Sequence, residues 1–187
     1  MAKVIIFGLS DTAELAYYYL KSDSLHEIVA FTVNKSFIKE NFFKDLPVVP
    51  FEDISKTYPP SKFSLFAPMT GKNMNRDREK VFLEGKSLGY NFISYISSKA
   101  TVFDNEIGEN CFILEDNTIQ PFTKIGNNVV LWSGNHIGHH GLIKDHVFFT
   151  SHVVMSGNCF IESYSFFGVN STIRDCSKIS KGTFLAM

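Results

Sequence analysis

The chain has 187 residues and a formal net charge of −1, and 44% of its residues are hydrophobic, which allows one or two domains with a substantial core. Its 18 basic and 19 acidic residues are interspersed, which argues against a nucleic-acid partner. The sequence has no apolar run long enough for membrane insertion, no signal-peptide pattern, and three cysteines without CxxC spacing, so we expect a cytoplasmic protein.

Residues 1–95 alternate strand and helix patterns, which predicts an α/β domain with a small parallel sheet. Asp11 is positioned to cap the first helix, with Glu14 as its capping-box partner. We predict strands at 3–7, 28–33, 63–67 and 91–95, an extended segment at 46–50, and helices at 12–21, from residue 51 and at 73–88.

The carboxyl ends of parallel strands are where such sheets bind ligands. Here these ends fall at 8–11, 32–35 and 67–71. The first turn contains Gly8 but no GxGxxG pattern, so it lacks the glycines that a dinucleotide pyrophosphate needs, and NAD binding is excluded. The start of the next helix could still receive one phosphate or a polar ring edge, whereas the alternative is that Gly8 merely makes a tight turn.

The second half has a different pattern, in which a large apolar residue recurs at every sixth position from Ile107 to Leu185. Small residues such as Cys111 and Val129 follow four positions later in most repeats, so Cys111 and Cys159 are predicted to be buried. A hexapeptide period is typical of a β-helix, in which three repeats form one triangular coil and residues eighteen apart stack. The predicted coils are 107–124, 125–142, 143–160 and 161–178, with a fifth that is incomplete at Met187 or covered by a neighbouring subunit.

Five of the six histidines lie close together in the β-helix half: His136, His139, His140, His146 and His152. A metal site is one interpretation, but no carboxylate or cysteine set completes a tetrahedral site, so we predict none. For His146 and His152 we favour exposed positions on the solenoid surface. His139 fits a general base better, because Gly157 lies eighteen residues later and offers a backbone N–H to an acyl oxygen.

The stretch Asn-His-Ile-Gly-His-His-Gly at 135–141 and the stretch Val-Met-Ser-Gly-Asn at 154–158 resemble the hexapeptide-repeat sugar acyltransferases. The resemblance is to the sialic acid O-acetyltransferase and bacillosamine N-acetyltransferase type, and it covers the whole chain. It implies an α/β Rossmann-like nucleotide-sugar-binding domain at 1–95, followed by a left-handed parallel β-helix acyltransferase domain at 96–187. It also implies a homotrimer with acetyl-CoA in the groove between adjacent β-helices.

The resemblance further implies roles for individual residues. His139 corresponds to the catalytic base, and His140 to a position where several members carry an acidic residue that orients the base. Phe148 stands where some members have a second histidine, a role that His146 or His152 could fill. The implied coenzyme-binding residues are Ser156, Gly157, Phe167, Gly168 and Asn170. The implied substrate-binding residues are Gly8, Ser10, Asp11, Asn34, Lys35, Thr70, Arg76, Asn135 and His136; for Arg76 a merely solvated position on a helix is the alternative.

These features together predict an acetyl-CoA-dependent N-acetyltransferase that acts on a nucleotide-linked amino sugar for bacterial surface glycans. A second hypothesis is O-acetylation of a sugar hydroxyl, which demands a stronger base and is weakly disfavoured because His140 is not acidic. A third hypothesis is a non-catalytic trimeric scaffold, because a fold alone does not establish a function.

Overall fold

The computed structural model describes all residues from Met1 to Met187. Contacts divide the chain into two compact units, the first formed by Met1–Thr70 with Lys80–Ile93 and the second by Gly71–Glu79 with Ser94–Met187. Residues 71–79 therefore pack with the second unit, although they precede the boundary expected near residue 95. The structure contains no helix of the length and apolar character needed to cross a membrane.

The first unit is built on a five-stranded sheet in the order β3-β4-β2-β1-β5, in which β4, β2, β1 and β5 are parallel and β3 runs antiparallel to β4. The strands are β1 Lys3–Phe7, β2 Glu27–Val33, β3 Phe42–Phe43, β4 Leu46–Pro50 and β5 Phe63–Phe66. The helices are α1 Asp11–Ser22, α2 Ile54–Thr57 and α3 Arg76–Ser87, with 3-10 turns at Lys35–Phe37 and Phe51–Asp53. The parallel sheet expected from the strand-helix alternation is thus present.

Burial explains why these segments form their elements. Val4, Ile5 and Ile6 are consecutive and fully buried, as expected for a central parallel strand covered on both faces. Helix α1 begins at Asp11 with Ser10 in the N-cap position, so the prediction that Asp11 is the cap was wrong by one residue. The Ser10 carbonyl accepts the first helical hydrogen bond, from the Glu14 N–H at 3.0 Å.

Three sequence-based boundaries differ from the structure. Helix α3 begins at Arg76 instead of residue 73, because the three residues 73–75 have φ angles between 48° and 66°, outside the right-handed helical region. The strand predicted at 91–95 is reduced in the first unit to a bridge between Leu65 and Phe92. The strand β3 was missed because its hairpin turn uses Lys44 and Asp45 at positive φ and contains no glycine to mark it.

The second unit contains a β-helix of two-residue strands, numbered β6 to β20 along the chain and arranged in three parallel sheets. The first sheet contains Tyr95–Ile96, Phe112–Ile113, Val130–Leu131, Phe148–Phe149, Phe166–Phe167 and Phe184–Leu185. The second contains Thr101–Val102, Thr118–Ile119, His136–Ile137, Val154–Met155 and Thr172–Ile173. The third contains Lys124–Ile125, Leu142–Ile143, Phe160–Ile161 and Lys178–Ile179. The β-helix thus starts earlier than the first repeat at residue 107.

The interior of the β-helix is formed by the six-residue apolar series. Each member from Ile113 to Ile173 is at most 4% exposed, whereas Leu185 in the last coil is 36% exposed. Residues eighteen apart pair directly, as in Val130 with Phe112 and Phe148, which confirms the predicted stacking. The predicted burial of Cys111 and Cys159 is also confirmed, and burial raises the pKa of the Cys111 thiol to about 11.

The corners of the coils follow a second six-residue series that the sequence analysis did not identify. At every sixth residue from Asn110 to Gly182 the backbone φ is positive. Left-handed conformations are tolerated best by Gly, Asn, Asp and His, and these types occupy most corners. Three corners are exceptions, because they carry Phe122, Tyr164 and Cys176. Since residues eighteen apart stack, the corners form three separate columns.

Candidate active site

His139 and His140 lie at one corner of the β-helix, just after strand β12 (His136–Ile137), and both side chains are exposed. Their Nδ1 atoms are 3.0 Å apart and their ring planes are nearly perpendicular, at 88°. One of these nitrogens must donate and the other accept, so the contact fixes complementary tautomers in the pair. His140 has a φ of 54°, which turns the chain sharply after His139 and places the two rings edge to face.

The coil above this corner contributes Gly157, directly stacked on His139. A Cβ atom added at Gly157 would come within 2.8 Å of His139 Cε1 and 2.9 Å of its Nε2, so only glycine admits the imidazole in this position. The neighbouring Asn158 N–H donates to the His139 carbonyl at 2.8 Å, whereas the Gly157 N–H donates to no acceptor within the chain. The corner therefore combines an exposed imidazole with an available amide donor.

The coil below the corner contributes three residues that the sequence analysis missed. The Gln120 Oε1 atom accepts a hydrogen bond from the His139 backbone N–H at 3.1 Å. Pro121 stacks under His139, and the ring of Phe122 lies with its centroid 4.6 Å from that of His140. Counting eighteen residues back from the histidine pair was the signal that would have found them.

His146 occupies a different corner column and is only 6% exposed, so the expectation of an exposed histidine was wrong there. Its Nδ1 is 2.9 Å from the Asn128 amide nitrogen, and its ring is stacked on Tyr164 at 5.3 Å. Its Nε2 lies 3.7 Å from Glu79 Oε1. Burial lowers the pKa of His146 below its usual value, although the carboxylates of Glu79 and Asp145 oppose this shift.

Glu79 ties the first turn of α3 to this buried corner. The Tyr164 hydroxyl donates a hydrogen bond of 2.6 Å to Glu79 Oε1, and the Arg76 guanidinium lies over the Tyr164 ring at 3.8 Å. Burial alone would raise the pKa of the Glu79 carboxyl, but the Tyr164 hydrogen bond and the charges of His146 and Arg76 outweigh burial and lower it. The cluster is thus a structural contact inside the second unit.

The third column contains His152, which is exposed as expected and whose ring lies against Gly134, so that a Cβ atom at that glycine would clash with Nδ1. Within one chain, His146 and His152 occupy the two corner columns that do not contain His139. Neither residue therefore lies at the His139 corner of its own chain. His136 lies on the outer face of β12, between Thr118 and Val154 in the neighbouring strands.

The coenzyme-binding residues implied by the resemblance do not all meet at the His139 corner. Ser156 and Gly157 lie there, one coil above the base. Phe167 is fully buried inside the β-helix with its ring stacked on Phe149 at 4.5 Å, so its side chain is unavailable to a ligand. Gly168 is also buried, and Asn170 belongs to the column of His152. The assignment of Phe167 to coenzyme binding was wrong, because Phe167 belongs to the six-residue apolar series that points inward.

The substrate-binding residues implied by the resemblance fall into two groups. Gly8, Ser10, Asp11, Asn34, Lys35 and Thr70 belong to the first unit. There the Glu52 carboxylate accepts hydrogen bonds from the Asn34 side chain and the Lys35 N–H. Gly8 has a φ of 117°, which agrees with a tight turn after the first strand. Its N–H donates to the Thr32 carbonyl at 2.8 Å.

Arg76, Asn135 and His136 belong to the second unit. Asn135 is 1% exposed, and its amide is used within the β-helix by the Trp132 carbonyl and the Val153 N–H, so its assignment to substrate binding was wrong. Asn117, eighteen residues earlier, occupies the same inward position in the preceding coil and is also buried, with its amide donating to the Trp132 carbonyl. No group of three His, Cys, Asp or Glu side chains is arranged to hold a metal ion.

Comparison with known proteins finds matches to the hexapeptide repeat and to the fold. Residues 106–139 match the family of bacterial transferase hexapeptide repeats (six repeats). No curated protein sequence matches the chain. The resemblance to hexapeptide-repeat transferases that the sequence indicated is therefore confirmed for the repeat.

Several solved structures share the fold over the whole chain. The acetyltransferase domain of PglB from Neisseria gonorrhoeae is 16% identical, with a TM-score of 0.82 and coverage of 100% of this chain and 89% of that one. WeeI from Acinetobacter baumannii is 17% identical, with a TM-score of 0.78 and coverage of 100% and 90%. A histidine mutant of perosamine N-acetyltransferase from Caulobacter crescentus, in complex with CoA and GDP-perosamine, is 14% identical, with a TM-score of 0.73 and coverage of 100% and 94%. At these identities the similarity establishes a shared fold.

Proposed function

We propose that the chain is an acetyl-CoA-dependent N-acetyltransferase that acts on a nucleotide-linked amino sugar in bacterial surface glycan synthesis. The observation that carries this proposal is the exposed imidazole of His139 packed against Gly157, whose N–H has no acceptor within the chain. A base beside an unused amide donor is the pair that acyl transfer requires. The similar structures support the same class, because the PglB domain was solved with acetyl coenzyme A and perosamine N-acetyltransferase with CoA and GDP-perosamine.

In the proposed reaction the sugar amine attacks the thioester carbonyl, forming the C–N bond. His139 accepts the amine proton at Nε2, which requires the tautomer in which its Nδ1–H is donated to His140 Nδ1, 3.0 Å away. The Gly157 N–H stabilises the oxyanion of the tetrahedral intermediate. The C–S bond then breaks, and His139 passes the proton to the departing thiolate of coenzyme A.

His140 takes the place of the acidic partner in this scheme. A neutral imidazole accepts the His139 Nδ1–H but supplies no negative charge to stabilise the imidazolium. This suits an amine acceptor, which is a better nucleophile than a hydroxyl and demands less of the base. The proposal also includes, from the family resemblance, a left-handed winding, a trimer with acetyl-CoA between adjacent β-helices, a Rossmann-like nucleotide-sugar-binding domain at 1–95 and a cytoplasmic location.

The direct test is incubation with acetyl-CoA and a panel of UDP-, dTDP- and GDP-linked amino sugars, with products identified by mass spectrometry. We expect one acetyl group to be gained on one acceptor, and the gain to be lost in His139→Ala. His152→Asn is the control, because it removes an exposed histidine from another corner column and asparagine tolerates the φ of 59° there. Acetylation of hydroxyl sugars alone would instead favour an O-acetyltransferase, and the absence of both transfer and coenzyme A binding would favour a scaffold.

A further inference from the structure

Phe122 is an exception among the corner residues of the β-helix. Its φ of 68° places a bulky aromatic residue in the left-handed region, which is an uncommon and strained position for that residue type. The other aromatic corner, Tyr164, is explained by its packing on His146 and its hydrogen bond to Glu79. Phe122 has no such buried network, because its side chain is 68% exposed and its ring contacts His140.

The position of Phe122 relative to the histidine pair suggests what its exposed face contacts. His139 is stacked between Gly157 in the coil above and Pro121 in the coil below. If the thioester carbonyl is held at the Gly157 N–H, the acceptor must approach the imidazole from elsewhere, and the lower coil offers the free surface. That coil contributes both the ring of Phe122 and the amide of Gln120. The Gln120 Oε1 atom accepts from the His139 N–H, and the Gln120 amide nitrogen has no hydrogen-bond partner within the chain.

We propose that Phe122 is a positioning residue for the acceptor and packs against the C–H face of its pyranose ring, while the Gln120 amide meets a ring hydroxyl. This inference rests on the proposed function, since it assigns the sugar side of the same site. Aromatic rings bury apolar surface with little loss of conformational freedom, and Phe122 is held by a fixed corner of a rigid solenoid. Contact with the sugar compensates for the unfavourable exposure and backbone conformation of this side chain.

Two variants separate a loss of the ring from a loss of folding. Phe122→Asn removes the ring but suits a left-handed corner, as the native Asn110, Asn128 and Asn158 show at equivalent corners. Phe122→Tyr keeps the ring. Phe103→Asn is the matched control, because Phe103 is a 54% exposed phenylalanine elsewhere in the second unit.

The experiment measures KM for the nucleotide-linked amino sugar identified by the panel, KM for acetyl-CoA, and the assembly mass by light scattering. We expect Phe122→Asn to raise the acceptor KM about tenfold and to leave the acetyl-CoA KM within about twofold, with Phe122→Tyr and Phe103→Asn near wild type. An unchanged acceptor KM in an active Phe122→Asn protein, or an equal rise of both constants, would overturn the positioning role of Phe122 and leave the proposed function standing. Dissociation of the assembly would overturn it too, because Phe122 would then be a contact between copies. A wild-type protein that transfers no acetyl group would overturn the proposed function and the positioning role of Phe122 with it.

Discussion

At the scale of single residues, the histidine pair determines how the proposed base is oriented. The His139 Nδ1 and His140 Nδ1 atoms are 3.0 Å apart, and His140 is at a φ of 54° that Asn and Asp also tolerate. A partner that accepts a hydrogen bond from Nδ1 leaves Nε2 as the base, whereas a partner without an acceptor releases the ring to rotate. The chemistry of position 140 should therefore control turnover more than substrate binding.

We expect His140→Phe, which keeps an aromatic ring but removes the acceptor, to lower kcat by about 10- to 100-fold with a small effect on KM for either substrate. His140→Asp supplies a charged acceptor at the same corner and should retain activity at or above that of the wild type. Steady-state kinetics of the two variants and the wild type provide the measurement. Equal losses in both variants would contradict a role as hydrogen-bond acceptor.

Some residues of the candidate site could be predicted from the sequence, and others could not. His139 and Gly157 were identified because a fixed period of eighteen residues converts sequence distance into spatial contact. Phe167 was wrongly assigned to coenzyme binding because it precedes other implied coenzyme-binding residues in sequence. Its position in the six-residue series instead points its side chain into the β-helix. Phe122 was missed because backbone φ angles, which make it unusual, cannot be read from residue types alone.

At the scale of secondary-structure elements, the first turn of α3 is fastened to the β-helix by buried polar groups. Arg78 is fully buried, and its guanidinium donates to the carbonyls of Asn128 at 3.0 Å and Val147 at 3.3 Å. Burial lowers the pKa of Arg78 to about 9, which reflects the cost of placing this cation away from water. The two hydrogen bonds join neighbouring coils to the helix.

Removal of the Arg78 guanidinium should leave the Asn128 carbonyl without a donor and the Val147 carbonyl with only the Val130 N–H, which donates to it at 3.0 Å. We expect Arg78→Met to reduce the free energy of unfolding by about 2 to 4 kcal/mol, as measured by urea denaturation. Lys80→Met on the exposed side of the same helix is the control and should change stability by less than about 0.5 kcal/mol. Equal stability of the two variants would show that the guanidinium contributes nothing net.

His146 makes the contact between the first turn of α3 and the β-helix sensitive to acid. Because burial lowers its pKa, the unfolded chain takes up a proton near the usual value of 6.5 while the folded chain does not. Stability is therefore unaffected by this group well above that pH and falls as the pH drops below it. The pKa of Glu79 is also lowered, from 4.5, so the Glu79 carboxylate titrates only in stronger acid and does not obscure this window.

We expect His146→Asn to lose less stability than the wild type between pH 7.5 and pH 5.5, by at most about 1.4 kcal/mol per pH unit. Asparagine suits the left-handed corner and repeats the amide ladder formed by Asn110 and Asn128, whose side chains are 2.7 Å apart. Chemical denaturation at the two pH values measures the difference. His152→Asn, at an exposed corner, should keep the wild-type pH dependence.

At the scale of the whole molecule, the two halves differ in how far their sequence determines their structure. The β-helix was predictable from residue 107 onward because every coil repeats one pattern, so a single register fixes thirteen of its fifteen short strands. The first unit has no repeat, and its hairpin β3-β4 and the start of α3 depend on positive φ angles at Lys44, Asp45 and 73–75. The inclusion of residues 71–79 in the second unit was also unpredictable, because it depends on long-range contacts such as that of Arg78 with Val147.

Coenzyme A should stabilise the whole protein by mass action if the chain is an acetyltransferase. A ligand that binds only the folded state, at a free concentration of 100 times its Kd, adds about 2.7 kcal/mol to the free energy of unfolding. We expect this stabilisation in thermal or urea denaturation of the wild type, and no comparable effect of ATP, which matches the adenine and the phosphate charge. His139→Ala should retain it, because the imidazole is assigned to the acceptor proton and not to the coenzyme. Stabilisation by coenzyme A with loss of turnover in that variant would show that His139 acts in the chemical step and not in coenzyme binding. A wild-type chain that is neither stabilised by coenzyme A nor active in transfer would favour the scaffold.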